Sequence, residues 1–133
     1  MPRRAFRIIS ENKDVAVPCL IDAIKKAVSE GDDLDENYQL HFYALHLLGE
    51  FQDRECFPKI MQLISLPGDT LDYLIGDAIT SSLQDILYNT YNGDLEIQKK
   101  TVNIPDIDDF VRGGVLKVMG QLYLEQNLSG GFF

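Results

Sequence analysis

The sequence predicts an all-α chain, a short right-handed α-α solenoid of about six helices in three pairs, and three observations carry that reading. Apolar residues recur at helical spacing, and the stretches between them are short. One kind of segment occurs twice: Asp14-Val15-Ala16-Val17-Pro18-Cys19-Leu20-Ile21-Asp22-Ala23-Ile24 returns 40 residues on as Arg54-Glu55-Cys56-Phe57-Pro58-Lys59-Ile60-Met61-Gln62-Leu63-Ile64, with prolines in register. A second kind recurs independently, Leu40 to Phe51 lying over Val111 to Leu122 at an offset of 71 residues. That offset is two repeats of about 35, and Leu74-Ile75-Gly76-Asp77-Ala78-Ile79 falls between them. Repetition at such a period marks stacked helical units.

The elements follow in order, within one domain: an N-terminal segment 1–13, repeats over 14–128 and a tail at 129–133. Inner helices are expected at 14–29, 54–66 and 94–103, the first two opened by Pro18 and Pro58. Proline suits a first helical turn because its missing N–H would have had no helical partner there. Outer helices are expected at 37–51, 71–90 and 108–125. Gly31-Asp32-Asp33, Gln52-Asp53, Pro67-Gly68-Asp69, Asn92-Gly93-Asp94 and Pro105-Asp106 supply the turns, and links this short join antiparallel neighbours. Helix 37–51 shows why the pairs must stack. Its polar stripe is only Gln39, Tyr43, His46 and Glu50, so the remaining arc has to be covered on more than one side.

Composition narrows the function. The chain has 133 residues, 45% of them hydrophobic, which suits one folded domain and excludes general disorder. Its net charge of −9 argues against nucleic-acid binding, which gains affinity through Lys and Arg. Arg3, Arg4 and Arg7 precede only Ile8 and Ile9 before polar residues resume, so no secretory segment is read, and no apolar run spans a membrane. A cytoplasmic protein is expected. The two cysteines form no ligand or disulfide pattern, and Gly-x-Ser-x-Gly, His-Glu-x-x-His, phosphate-loop and dinucleotide motifs are missing from the sequence. No enzyme, metal or cofactor is therefore expected.

The polar residues have structural readings first. Acidic clusters at 32–36, 69–72 and 106–109 precede outer helices and read as N-caps. The first opens like a calcium loop, but Tyr38 stands where its glycine belongs and Ala44 where its bidentate Glu belongs. His41 is expected in the core and His46 on the surface, ~140° apart round the helix and unable to share a metal. Cys19 and Cys56, in first turns of inner helices, read as packed thiols. Gly113-Gly114 inside a helix reads as a close helix approach. Lys25, Lys26, Lys59, Lys99 and Lys100 all fall on inner helices, and with Asp22 and Gln62 they are the candidate partner-binding residues.

The run Asp109-Phe110-Val111-Arg112-Gly113-Gly114-Val115-Leu116-Lys117-Val118-Met119-Gly120 resembles a HEAT or armadillo-type repeat. That resemblance implies that Asp109 and Arg112 are a structural pair tying adjacent repeats, although His41 and Ile75 stand at or near the Arg position in the other copies. Leu63 to Thr80, Asp85 to Asp94 and Asp106 to Arg112 are similar to the bacterial family called domain of unknown function 1186, a likeness covering roughly 14–128. Members tend to be longer, some with a cysteine-rich zinc-binding tail, so the chain resembles their N-terminal half. The resemblance implies the fold and assigns no activity.

The expected function is a non-catalytic helical-repeat module that binds a protein partner. An accessory part of a longer protein is the alternative, and a HEAT-like nucleic-acid-acting protein a weaker one. A homodimer through a terminal repeat is also expected, with Leu124, Leu128, Phe132 and Phe133 at that end.

Overall fold

The computed structural model describes residues 3–128, apart from the side chains of Phe6, Ile79, Thr80, Asn127 and Leu128, and the described residues contain helices and no strand. Phe132 and Phe133, expected at the end of the last repeat, lie outside the described residues, as does the side chain of Leu128. Helix α1 (Arg3–Glu11) gives the N-terminal segment a helix of its own, with Ile9 resting against the core. The Asn12 amide donates to the Ile8 carbonyl (2.8 Å), finishing α1 one residue before α2 (Lys13–Glu30) begins. Because α2 starts at Lys13, Pro18 lies inside it rather than in its first turn. One backbone bond is lost there, a tolerable defect in a helix of 18 residues.

A tight turn at Gly31–Asp33 leads to α3 (Leu40–Glu50), and α4 (Phe57–Ile64) opens with Pro58 in its first turn as expected. The long outer helix expected over 71–90 is instead three pieces, α5 (Gly68–Ile75), α6 (Ala78–Ser81) and α7 (Leu83–Thr90). Gly76 is the cause of the first break. At φ +50° it gives its N–H to the Asp72 carbonyl and turns the chain out of the helix, a conformation only glycine adopts at little cost. α8 (Leu95–Val102) and α9 (Asp109–Leu128) complete the chain.

Helices α2, α4 and α8 contact one another in chain order, as do α3, α7 and α9, while α2 packs on α3 and α8 on α9. The core between them holds Ile24, Leu45, Leu48, Phe57, Ile60, Ile64 and Leu87, all fully buried. Each such side chain contributes about 1.5–3 kcal/mol by leaving water. A close helix approach occurs at Gly49, where an added Cβ would stand 3.2 Å from Ile86 Cγ1, so α3 and α7 meet backbone to side chain. Gly113 and Gly114 do not play that part. A Cβ on either meets nothing within 4 Å, which corrects the expectation of close packing there.

Polar ties fix the pieces. His41 is 3% exposed, and its Nε2–H donates to the Leu74 carbonyl (2.6 Å) while its ring stacks on Tyr38. The Tyr73 hydroxyl donates to the Leu34 carbonyl, and Ser65 Oγ meets Thr101 Oγ1 at 3.4 Å between α4 and α8. Asp94 caps α8 by accepting from the Ile97 N–H (3.1 Å), and Asp108 accepts from Phe110 and Val111 at the start of α9. The first acidic cluster behaves differently from expectation. Asp35 closes a turn with the Asn37 N–H (2.8 Å), and Gln39, without a side-chain cap bond, precedes α3.

Candidate groove between the last two helices

α8 has 8 residues and α9 has 20, so the second half of α9 runs beyond its neighbour. The two helices leave a groove of about 1050 Å³, lined by Tyr91, Leu95, Gln98, Met119, Leu122 and Tyr123 among others. Its walls are chiefly hydrocarbon and aromatic. Tyr91 is held edge-on against Phe57, ring centroids 5.5 Å apart, and burial followed by the Asp94 charge pushes its phenol up from the ordinary tyrosine range. At the rim the Tyr88 hydroxyl donates to the Glu125 carboxylate, its oxygen 2.6 and 2.8 Å from the two carboxylate oxygens, which ties α9 to α7.

Gln98 is the unusual member. It is fully buried, yet neither its amide oxygen nor its amide nitrogen has a hydrogen-bond partner. Buried polar groups are paired in the great majority of cases, because an unmet amide in an apolar setting costs about 1–3 kcal/mol. The groove is therefore an apolar bed with an amide just behind its wall, whose polar atoms are shielded from solvent and reach the groove only if the side chain turns outward. Gln98 was not among the sequence-predicted residues. The signal lay in the spacing: it stands three residues from Leu95 and four from Val102, a polar residue on the apolar stripe of its helix.

The sequence-predicted lysine set is distributed over helices in mutual contact, with Asp22, Lys25 and Lys26 on α2, Lys59 and Gln62 on α4, and Lys99 and Lys100 on α8. Lys25 lies 3.9 Å from Asp22, Lys26 3.0 Å from Glu30, Lys59 3.2 Å from Gln62 and Lys99 3.5 Å from Glu96. Each of these pairs closes inside one helix. Lys26 also sits over the Tyr38 ring, and its ammonium is held above its ordinary value chiefly by the Glu30 hydrogen bond and charge. Much of the positive charge is thus answered locally.

Asp109 and Arg112 form an ion pair (3.1 Å) within α9 rather than between repeats. Arg112 reaches its neighbour through the backbone, donating to the Val102 (3.0 Å) and Ile104 (2.7 Å) carbonyls at the end of α8. It therefore fastens the two helices of the last pair. His46 is half-buried and bonds the Phe42 carbonyl of its own helix, Cys19 is exposed, and Cys56 is buried. Burial, with the Asp53 charge added, drives the Cys56 thiol far up and out of reach of neutral pH. Among the described residues no cluster of His, Cys, Asp and Glu could hold a metal ion, and no helix is long and apolar enough to cross a membrane.

Two relatives share the chain's full span. An uncharacterized protein of Chlamydia muridarum is 26% identical over 98% of this chain and 53% of its own length. One of Chlamydia trachomatis serovar D is 25% identical over 97% and 52%. The chain thus spans about half the length of the curated relatives it matches. No solved structure matches it. A family model does, over residues 1–130, and the chain belongs to that family, described as protein of unknown function (DUF1186).

Proposed function

We propose that the chain is a non-catalytic helical-repeat module, a short right-handed solenoid of HEAT-like helix pairs, which docks a protein segment in the groove between α8 and α9. The chain-order contacts of α2, α4 and α8 and of α3, α7 and α9 support the solenoid reading. The observation that carries the binding reading is Gln98, a buried amide with both polar atoms unmet beside an apolar groove. A segment bringing apolar side chains to Leu95, Met119 and Leu122, and a hydrogen-bonding group to the Gln98 amide as that side chain turns outward, would satisfy both. The lysines of α2, α4 and α8 are a weaker contact surface, because in-helix partners already answer four of them.

The test places a photo-crosslinking side chain at Leu95 and recovers partners from the source cell. One protein is expected at near-equal stoichiometry, lost on Met119→Glu with Leu122→Glu and retained on Lys59→Glu with Lys99→Glu. Retention by the groove variant and loss by the lysine variant would move the site to the lysine face and overturn the groove reading.

A second reading draws on length. The curated relatives carry about as much chain again outside the matched part. In them, the segment seated in the groove is the rest of the same polypeptide. Expressing the two parts of the Chlamydia muridarum relative separately tests this: they associate, and the substitutions at the positions matching Met119 and Leu122 prevent it.

A further inference from the structure

The turn between α7 and α8 exposes a side-chain amide to attack by the chain's own backbone. Asn92, Gly93 and Asp94 are all exposed. Gly93 stands at φ +94°, a Cβ added to it would meet nothing within 4 Å, and its N–H donates no hydrogen bond among the described residues. The Asp94 N–H donates to Asn92 Oδ1 (2.9 Å), whereas the Asn92 amide nitrogen makes no hydrogen bond there. A backbone donor thus already sits on the oxygen where charge collects when a nucleophile reaches Cγ. The Gly93 nitrogen is that nucleophile: bonding to Cγ closes a five-membered ring, and glycine puts no side chain in the way. Other asparagines are placed differently. Asn12 and Asn103 give their amide nitrogens to the Ile8 (2.8 Å) and Lys99 (2.9 Å) carbonyls, Asn89 lies inside α7 before the β-branched Thr90, and Asn37 precedes Tyr38.

We propose that Asn92 is a site of spontaneous deamidation through a succinimide. The Gly93 nitrogen, its proton lost to solvent, bonds to Asn92 Cγ. The Cγ–Nδ2 bond breaks, and that nitrogen leaves as ammonia after taking a proton from water. The Asp94 N–H stabilises the oxyanion of the tetrahedral intermediate on Oδ1. Water then opens the ring. Opening at the side-chain carbonyl leaves an aspartate in an ordinary main chain, while opening at the main-chain carbonyl routes the backbone through Cβ and Cγ as an isoaspartate. Nothing is oxidised or reduced, and water is the only co-reactant. The two products act differently on α8. An aspartate keeps an oxygen for the Asp94 N–H, and its charge lies just before a helix N-terminus, where it is favourable. The isoaspartate takes that acceptor out of place and shifts Asp94, which caps α8 through the Ile97 N–H (3.1 Å). Tyr91 and Gly93 line the groove, so the longer backbone also changes its edge, but the chemistry does not depend on what the groove binds.

Ageing the full chain in neutral buffer tests this, with peptide mapping by mass spectrometry to place the change and an isoaspartyl methyltransferase to count isoaspartate. Asn92 should convert, chiefly to isoaspartate, at least about tenfold faster than Asn12, Asn37, Asn89 or Asn103. A synthetic peptide of residues 88–97 supplies the rate of an unrestrained chain, and the folded protein should stay within about tenfold of it, because the fold leaves the site open. Asn92→Gln should abolish the methyl acceptor. Asn92→Asp, which keeps the turn, should melt with the parent, while the isoaspartyl chain should lose amide-exchange protection at the start of α8. A folded chain slower than the peptide by more than that factor, a methyl acceptor that survives Asn92→Gln, or an isoaspartyl chain with α8 fully protected would each overturn the proposal.

Discussion

Replacing Gln98 by Met separates fold from function at one atom group. The two side chains are close in length and volume, and their helix propensities are nearly equal, so the exchange removes the amide and changes little else. Gln98 is fully buried with both amide atoms unmet, and relief of such a group is worth about 1–3 kcal/mol. Unfolding entropy of about 2.1 cal/mol/K per residue puts 1 kcal/mol at about 4 °C for a chain of 133 residues. The melting temperature of Gln98→Met should therefore rise by about 4–11 °C, with an unchanged urea m-value because no extra surface is exposed. Partner recovery should fall in the same variant. A stabler chain that binds less is the signature of a group kept for its use and not for the fold. A melting temperature that drops would mean that the amide is satisfied in the folded chain, and the case for the groove would fail with it.

Three further outcomes follow from the packing. Gly49→Ala and Gly114→Ala should differ in sign: Gly114→Ala gains about 0.8–1 kcal/mol of helix propensity in open space, while Gly49→Ala sets that gain against about 1–3 kcal/mol of crowding on Ile86, as urea titration would show. Arg112→Met should cost about 1–3 kcal/mol, because the Val102 and Ile104 carbonyls at the end of α8 lose their donor, and amide exchange should rise first in α8. The Tyr88 phenol is raised from its ordinary value by its hydrogen bond to Glu125, then by burial and the Glu125 charge. Its contribution is whole below the unfolded value of about 10 and is lost as pH rises through the folded one, so melting temperature should decline less steeply above pH ~10 in Tyr88→Phe than in the parent. Tyr91, also raised, keeps the remaining slope.

What the sequence made legible was periodicity. The proline register located α2 and α4, the 71-residue offset paired α3 with α9, and the wide apolar arc of α3 placed His41, Leu45 and Leu48 in the core. Backbone choices that depend on tertiary context were not legible. Gly76 reads equally as a small residue within a helix or as its end, and only its left-handed conformation, closing on the Asp72 carbonyl, decides between them. Gly49 and Gly113-Gly114 look alike in sequence, yet only the first meets a neighbouring helix, because contact is a property of the opposing surface. Capping failed at Asp32 to Glu36 for a related reason: the loop between them and α3 was longer than local spacing suggested, and the Asp35 carboxylate was used in the turn.

The lysine face and the groove make different demands on the same physics. A charge on a helix surface is cheap to satisfy, since a residue three or four positions away can reach it, and Asp22, Glu30, Glu96 and Gln62 do so here. Such a surface is complete without a partner. A buried amide has no such recourse, and an apolar helix face cannot be made content by rotating a side chain. Both of these features fall on α8 and α9, and for one reason. Helix pairs in a stack share their apolar sides with the next pair. α9 packs on α7 and α8, but its Leu116, Tyr123 and Leu124 remain exposed. The buried amide of α8 and the exposed apolar residues of α9 are thus demands that the described residues do not meet among themselves, which is why a substitution at Gln98, and not at the lysines, is the one that discriminates.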